Sequence, residues 1–480
     1  MLKKFYFLSF FAFAFLIANA QRPLIFKFFV SDASDAKIRL TTQGDYTYSY
    51  VKSNNATITG SGAGISGLTE FSVPQIGTYL VSIVPSGIFR LSSTYQYNSD
   101  PDKDKITEII QWGDVSWNSD LSFMFYDFKN LQITATDIPD FSKVTNMSSM
   151  FNSCTNFSIA NNINSWNVGN VTDMNYMFAS TPAFNKNIGS WDVGKLQNMS
   201  GMFSNALLFN QNIGVWNVSN VTNMNYTFYN ANAFNQNIAA WNVSNVNNMS
   251  AMFLGAYSFN QNISGWNVSN VTDFSSMFQA AYVFNQNISS WDVSNALTMS
   301  SMFYSTQTFN QNLGNWQLSP VVTMTNIFDS VGMDCNNFGA TLKGWAENPN
   351  TPLGRLFGVS NRSYGTGGQQ YMNQLIDNKG WTFSGATYYD ENCGETFLKV
   401  ENLSGNKNTI SLYPNPATEV VFIKSEQKTK NVQVFDTTGK VVLNVAGSTK
   451  INVQNVASGI YIIKVTMMDG SQSTHKLIKK

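Results

Sequence analysis

The stretch NVSNVTNMNYTFYNANAFNQNIAAW, residues 217–241, ends on a tryptophan, as do its neighbours of the same length. Trp166, Trp191, Trp216, Trp241, Trp266, Trp291 and Trp316 follow one another at intervals of 25 residues. A fixed period of that size marks a stacked repeat array. One such unit cannot bury its apolar residues alone, but neighbours stacked at roughly the 4.8 Å spacing of paired strands bury them as continuous columns. The period therefore predicts a solenoid.

Two apolar rhythms lie inside the unit. Val221, Met224, Thr227 and Phe228 fall at i, i+3, i+6 and i+7, as do Val171, Met174, Met177 and Phe178, which predicts a short helical turn. Phe234, Ile238, Trp241 and Val243 are separated by short polar residues and predict an extended segment. Cys154, Thr181, Ala206, Ala231, Ala256, Ala281 and Thr306 each stand three residues after a repeat phenylalanine. Only small side chains occupy that column, so Cys154 is expected to be a buried spacer thiol.

Tryptophan and the Val or Leu two residues later point to one face, which is expected to be core. Asn167, Asp192, Asn217, Asn242, Asn267, Asp292 and Gln317 lie between them and are expected to face outward on the strand side, as the candidate ligand-binding row. A merely solvated face is the alternative. Recurrent Asn-x-Ser and Asn-x-Thr triplets are read as turn and capping chemistry rather than glycosylation acceptors.

FNQNISGWNVSNVTDFSSMF, residues 259–278, is varied across at least seven copies and resembles the repeat of BspA-like leucine-rich-repeat surface proteins. The likeness spans residues 106–395, from a degenerate opening (QWGDVSWNSDLSFMF, residues 111–125) to a closing segment at GATLKGWAENP, residues 339–349. It implies a curved, leucine-rich-repeat-like α/β solenoid on a cell surface, with one short strand and one helical turn per unit. Binding roles differ among such proteins, and the resemblance names no ligand.

The termini read differently. Lys3 and Lys4 precede an apolar run ending at Ile17, and Ala18-Asn19-Ala20 stand before Gln21, the pattern of a secretory signal peptide cleaved after Ala20. Residues 21–105 carry alternating stretches and read as an antiparallel β cap, with GTYLVSI at residues 77–83 similar to a strand of PKD-like sandwiches. Residues 106–335 are the repeats, 336–395 a closing cap, 396–408 a linker and 409–480 a small β-sandwich. In that sandwich the Tyr413-Pro414-Asn415-Pro416 element, the turn ending at Gly439 and Lys440, the strand with Gly459 and Tyr461, and the basic end at Lys479 and Lys480 resemble the sorting domain of the type IX secretion system. The resemblance implies the type IX machinery as partner, export in a Bacteroidota-type cell, removal of the domain and attachment of the remainder to surface lipopolysaccharide.

Lys plus Arg equal Asp plus Glu, 29 each, so no global field draws the chain to nucleic acid or anionic membrane. Between Lys195 and Asp273 there is no charged residue at all. His475 is the single histidine, so a Ser-His-Asp or Cys-His site in the repeats is excluded, as is a histidine-based zinc site. No phosphate-binding glycine loop with its lysine is present. The expectation is a non-enzymatic chain without metal or cofactor. Three cysteines in an exported chain leave one over; Cys335 and Cys393 flank the closing cap and either bridge it or remain thiols. Adhesion to, or recognition of, an extracellular glycan or protein leads the functional reading. A passive spacer or surface-layer component, and an accessory carbohydrate-binding or substrate-capture protein, are its rivals.

Overall fold

The computed structural model describes residues 21–91, 103–388, 410–425, 428–436 and 440–480. Ala20, Cys393, Gly439 and the linker at 396–408 lie outside the described residues. The chain divides into two compact units, residues 1–395 and 396–480.

The first unit opens with β1 (Leu24–Val30), β2 (Lys37–Gln43), β3 (Tyr46–Lys52), β4 (Asn55–Gly64), β5 (Gly67–Ser72), β6 (Gly77–Pro85) and β7 (Ile88–Leu91). Strands β1, β6, β3 and β4 pair antiparallel, in that order, and alternation puts Phe26, Phe28, Tyr46, Tyr79 and Val81 into the core. Gly60, Gly62 and Gly64 lie opposite Tyr50, Tyr48 and Tyr46, and a Cβ on any of them would meet a tyrosine ring within 2.8 Å. The glycines are there to seat the rings. This sheet crosses residue 105: β8 (Ile106–Gln111) pairs with β1, and β10 (Gln132–Ile133) and β11 (Ser158–Ile159) extend it in parallel into the first repeats. A second sheet, ordered β5, β2, β7, takes β9 (Ser116–Trp117) onto its edge.

From Asp120 to Thr323 the units stack in register. Single parallel bridges link Asp173, Asn198, Asn223, Asn248, Asp273, Thr298 and Thr323 in succession. Each tryptophan from Trp166 to Trp291 is buried; Trp166, Trp191 and Trp216 lie flat on one another at 6.4 Å, as do Trp241, Trp266 and Trp291 at 6.4–6.5 Å, and phenylalanines 178, 203, 228, 253, 278 and 303 stack at 5.6–6.1 Å. Five of these indoles, from Trp191 to Trp291, donate Nε1–H to the isoleucine carbonyl of the preceding unit, at 2.8–3.2 Å. Cys154 sits in the small-residue column, fully buried, its Sγ 3.0 Å from the Phe125 carbonyl; burial pushes its pKa far up.

The segment expected to be a helical turn is a run of turns instead. In unit 217–241, Thr227, Tyr229 and Ala231 donate to carbonyls three residues back, whereas Met224, Tyr226, Phe228 and Asn230 donate to the next unit at 2.7–3.0 Å. Tyr226 and Asn230 take φ of 57° and 52°, and each unit has two such left-handed residues four apart. Those conformations break a right-handed helix but give turns of the type II kind. Asn225 N–H goes instead to Asn223 Oδ1 at 3.2 Å, so every backbone N–H from Met224 to Ala231 is paired. Val221, Met224, Thr227 and Phe228 are nevertheless all buried, because three-residue turns also bring i and i+3 to one side. The stretch expected to be extended carries side-chain bonds rather than a backbone ladder.

The array ends in α1 (Cys335–Glu347), β12 (Leu356–Tyr364), α2 (Thr366–Lys379) and β13 (Thr382–Tyr388). Asp334 caps α1 by accepting from the Asn337 amide. Strand β12 receives the last donors of the ladder, Phe328 N–H to Gly358 O and Ser330 N–H to Ser360 O. Trp345 continues the tryptophan pattern by donating to the Leu313 carbonyl.

The second unit holds β14 (Ser411–Tyr413), β15 (Val420–Lys424), β16 (Thr429–Phe435), β17 (Val441–Ala446), β18 (Lys450–Asn452), β19 (Gly459–Met467) and β20 (Gln472–Lys479). One sheet is ordered β14, β15, β18 and the other β17, β16, β19, β20. Val421, Ile451, Val434, Ile463 and Leu477, drawn from both sheets, form one core.

Candidate recognition face and sorting signal

Asn167, Asp192, Asn217, Asn242, Asn267, Asp292 and Gln317 are all exposed, between buried tryptophans and buried Val or Leu. In the first six, Oδ1 accepts the backbone N–H two residues on, at 2.9–3.3 Å. These are Asx turns, which fix the side chain against its own backbone. Because the oxygen is committed inward, the Nδ2 groups of Asn217, Asn242 and Asn267 make no hydrogen bond among the described residues, and each of these three units leaves one unpaired amide group on the surface. Gln317 departs from the pattern: its Oε1 accepts from Asn348 Nδ2 at 2.9 Å.

The row does not lie on the strand side as expected. The backbone ladder runs through the bridge residues and the turns after them, while the row sits where no strand forms. Three residues further along, Asn220, Asn245, Asn270 and Asn295 look identical in sequence but are structural. Their Nδ2 donates to the carbonyl of Gly194, Ser219, Ser244 or Ser269 in the preceding unit, at 2.6–2.8 Å. Asn210, Asn235, Asn260 and Asn285 are likewise consumed, each Oδ1 accepting from a backbone amide and a glutamine of the next unit.

Reasoning from the period missed a second surface feature. Tyr257 and Tyr282 stack at 4.9 Å, and both are exposed. Their column otherwise holds Pro182, Leu207, Asn232 and Gln307. That variability was the available signal, since a stacked core keeps its columns constant and only outward columns can vary.

Asp173 and Asp273 accept the amides of Asn175 and Ser275 at 2.8 Å and serve turns at the bridge positions. Among the described residues no three His, Cys, Asp or Glu side chains converge as metal ligands would. His475 contacts Ser473 Oγ at 3.1 Å, and burial lowers its pKa. Cys335 opens α1.

In the second unit Tyr413 is half exposed and its ring packs on Phe422 at 5.6 Å. Pro414 and Pro416 flank Asn415, whose Nδ2 donates to Lys476 O at 2.7 Å and whose Oδ1 accepts from Ile478 N–H at 2.8 Å. Lys440 N–H reaches Asp436 Oδ1 at 3.1 Å. Gly459 faces Lys479 across β19 and β20, and Tyr461 is buried with its hydroxyl on the Ala457 carbonyl at 2.9 Å. Lys479 is nearly buried, and Lys480 N–H donates to Ala417 O at 2.9 Å. Asn415, Gly459, Tyr461, Lys479 and Lys480 therefore meet at β20, whereas Lys440 sits on the turn between β16 and β17 and Tyr413 packs on β15.

Residues 411–480 match the secretion system C-terminal sorting domain. The chain is an exported repeat protein whose tail engages the type IX secretion machinery, with attachment at the cell surface of a Bacteroidota-type bacterium. Residues 119–241 and 225–345 match the family model described as Mycoplasma protein of unknown function, DUF285. No curated protein matches the chain. No helix among the described residues is long and apolar enough to cross a membrane.

Proposed function

We propose that this exported chain is a non-enzymatic recognition protein whose array, a solenoid of the BspA-like, leucine-rich-repeat-like kind, adheres to an uncharged extracellular ligand, a glycan before a protein. The observation that carries this reading is the row of surface amides on Asn217, Asn242 and Asn267, each held by its own turn in a stretch without charge. Pre-oriented donors lose little freedom on binding, and a neutral surface favours hydroxyl and ether acceptors over ions. One contact per unit is weak, but several units engaging a repetitive ligand add by avidity. The tyrosine pair at 257 and 282 supplies apolar edges of the sort sugars pack against.

The test is a glycan and matrix-protein array probed with the full chain lacking its first 20 residues. Saturable binding is expected to one class of neutral glycan. Changing Asn217, Asn242 and Asn267 together to Asp keeps the turn acceptor, as Asp192 and Asp292 already show, but replaces the donor. Binding should fall at least tenfold while melting stays unchanged. Binding that survives moves the site elsewhere, for example to the cleft of about 510 Å³ lined by Thr47, Ser49, Ser61 and Ser82 on the N-terminal sheet. No saturable signal on any array would leave the passive spacer as the reading.

A further inference from the structure

Strand β20 is an edge strand, paired with β19 on one side only, and its far side would present open backbone groups. Part of that side is closed. Ala417 N–H donates to Ile478 O at 2.8 Å, and Lys480 N–H donates to Ala417 O at 2.9 Å, a parallel bridge between Ala417 and Lys479. Asn415 extends the bridge with its side chain, taking the place of a backbone peptide: it donates to Lys476 O and accepts from Ile478 N–H. Ala417 is fully buried, so this segment is seated on the core while its neighbour holds the strand. Four hydrogen bonds thus fasten the final turn of sheet to a motif more than sixty residues earlier.

We propose that Asn415 is a positioning residue of the export signal: it latches the C-terminal strand, residues 476–480, in the geometry that the secretion machinery reads, and is not itself read. Prolines on either side keep Asn415 outside regular pairing, since neither offers an N–H, and leave its amide to pair with the strand. The inference rests on the sorting-domain match and is independent of what the repeats bind.

The experiment compares the full chain with Asn415→Ala and Asn415→Asp, measuring surface delivery by cell fractionation and backbone exchange on the purified chain. In Asn415→Ala the exchange of Ile478 N–H should rise roughly tenfold to a hundredfold, as expected for two lost hydrogen bonds of ordinary strength. Exchange at Val434 and Ile463 in the core strands should not change, and surface delivery should fall. Asn415→Asp, which retains the acceptor but not the donor, should be intermediate in both readouts. Lost delivery with the terminal strand as protected as in the parent would overturn the proposal and make Asn415 a direct contact. A freed strand with normal delivery would overturn it too, as would unfolding of both variants, since the latch is a local device. Tracking of delivery with Ile478 exchange across the three proteins is the supporting result.

Discussion

A stacked ladder has an unpaired edge at its first unit, and Arg90 is where this chain meets that problem. Each unit accepts bonds from the unit before it, so the first one presents carbonyls with no donor. The Arg90 guanidinium, brought over from β7, donates Nη1–H to Asp120 O and Nη2–H to Ser122 O, both at 2.8 Å. Those two peptides are the ones whose N–H ends, on Leu121 and Phe123, pair with Asn146 and Ser148 in the next unit. Arg90 is 6% exposed, and burial lowers its pKa, so its placement carries a desolvation cost. Two bonds from a charged donor contribute about 1.5–3 kcal/mol each, less that cost, so Arg90→Ala should destabilise the N-terminal end by roughly 2–4 kcal/mol. Arg90→Lys, a point charge without the fork, should lose about half as much. Because repeat arrays fray unit by unit, the first readout is amide exchange at Leu121 and Phe123, with urea unfolding beside it. Lys343→Ala, which removes an exposed pair with Glu347, is the control and should change stability by less than about 1 kcal/mol. A loss below about 1 kcal/mol for Arg90→Ala, or unchanged exchange at those two amides, would refute the edge-capping argument.

Trp241→Ala should cost about 3–5 kcal/mol, since the ring is buried, stacked at 6.4 Å on Trp266 and bonded to Ile213 O; a calorimetric loss near zero would show the column to be dispensable. Excising residues 217–241 as a block should leave a folded array, because every column and bridge re-forms one period on, and circular dichroism with a retained cooperative melt checks it. Removing residues 410–480 should leave a folded first unit trapped in the periplasm; recovery at the surface would contradict the sorting role. Acid should weaken the N-terminal β unit. Asp35 is lowered to about 2 chiefly by its hydrogen bond to Arg39, and Glu70 is lowered by Lys37 and Arg39. Depressed carboxylates contribute stability that is complete above their ordinary range and is lost as pH falls through the folded value. Melting should therefore decline from pH 4 toward pH 2, and Asp35→Asn should flatten that decline.

Much of the architecture was legible because repetition amplifies it. A tryptophan every 25 residues implies a column, and a column of large rings must be core, whatever the backbone does between them. The small-residue position of Cys154, the outward row at Asn217 and its equivalents, and the seven short strands of the tail follow from similarly local rules. The path of the backbone did not follow. The spacing of Val221, Met224, Thr227 and Phe228 fits a helix and a chain of three-residue turns equally well, since both return a side chain to one face after three or four residues. Stacking decided it: a neighbouring unit offers Tyr226 N–H and Phe228 N–H a carbonyl across the gap, which no isolated unit can do. The same reason separates Asn217, with its amide on the surface, from Asn220, spent on the unit before it, although the two are identical residues three apart, as are Asn242 and Asn245 or Asn267 and Asn270. Arg90 and Asn415 were likewise invisible as partners, because each bonds backbone atoms 30 or more residues away, and backbone atoms carry no signature in the sequence. Side-chain chemistry at one period is written in the chain; which carbonyl each donor finds is settled only when the units are stacked.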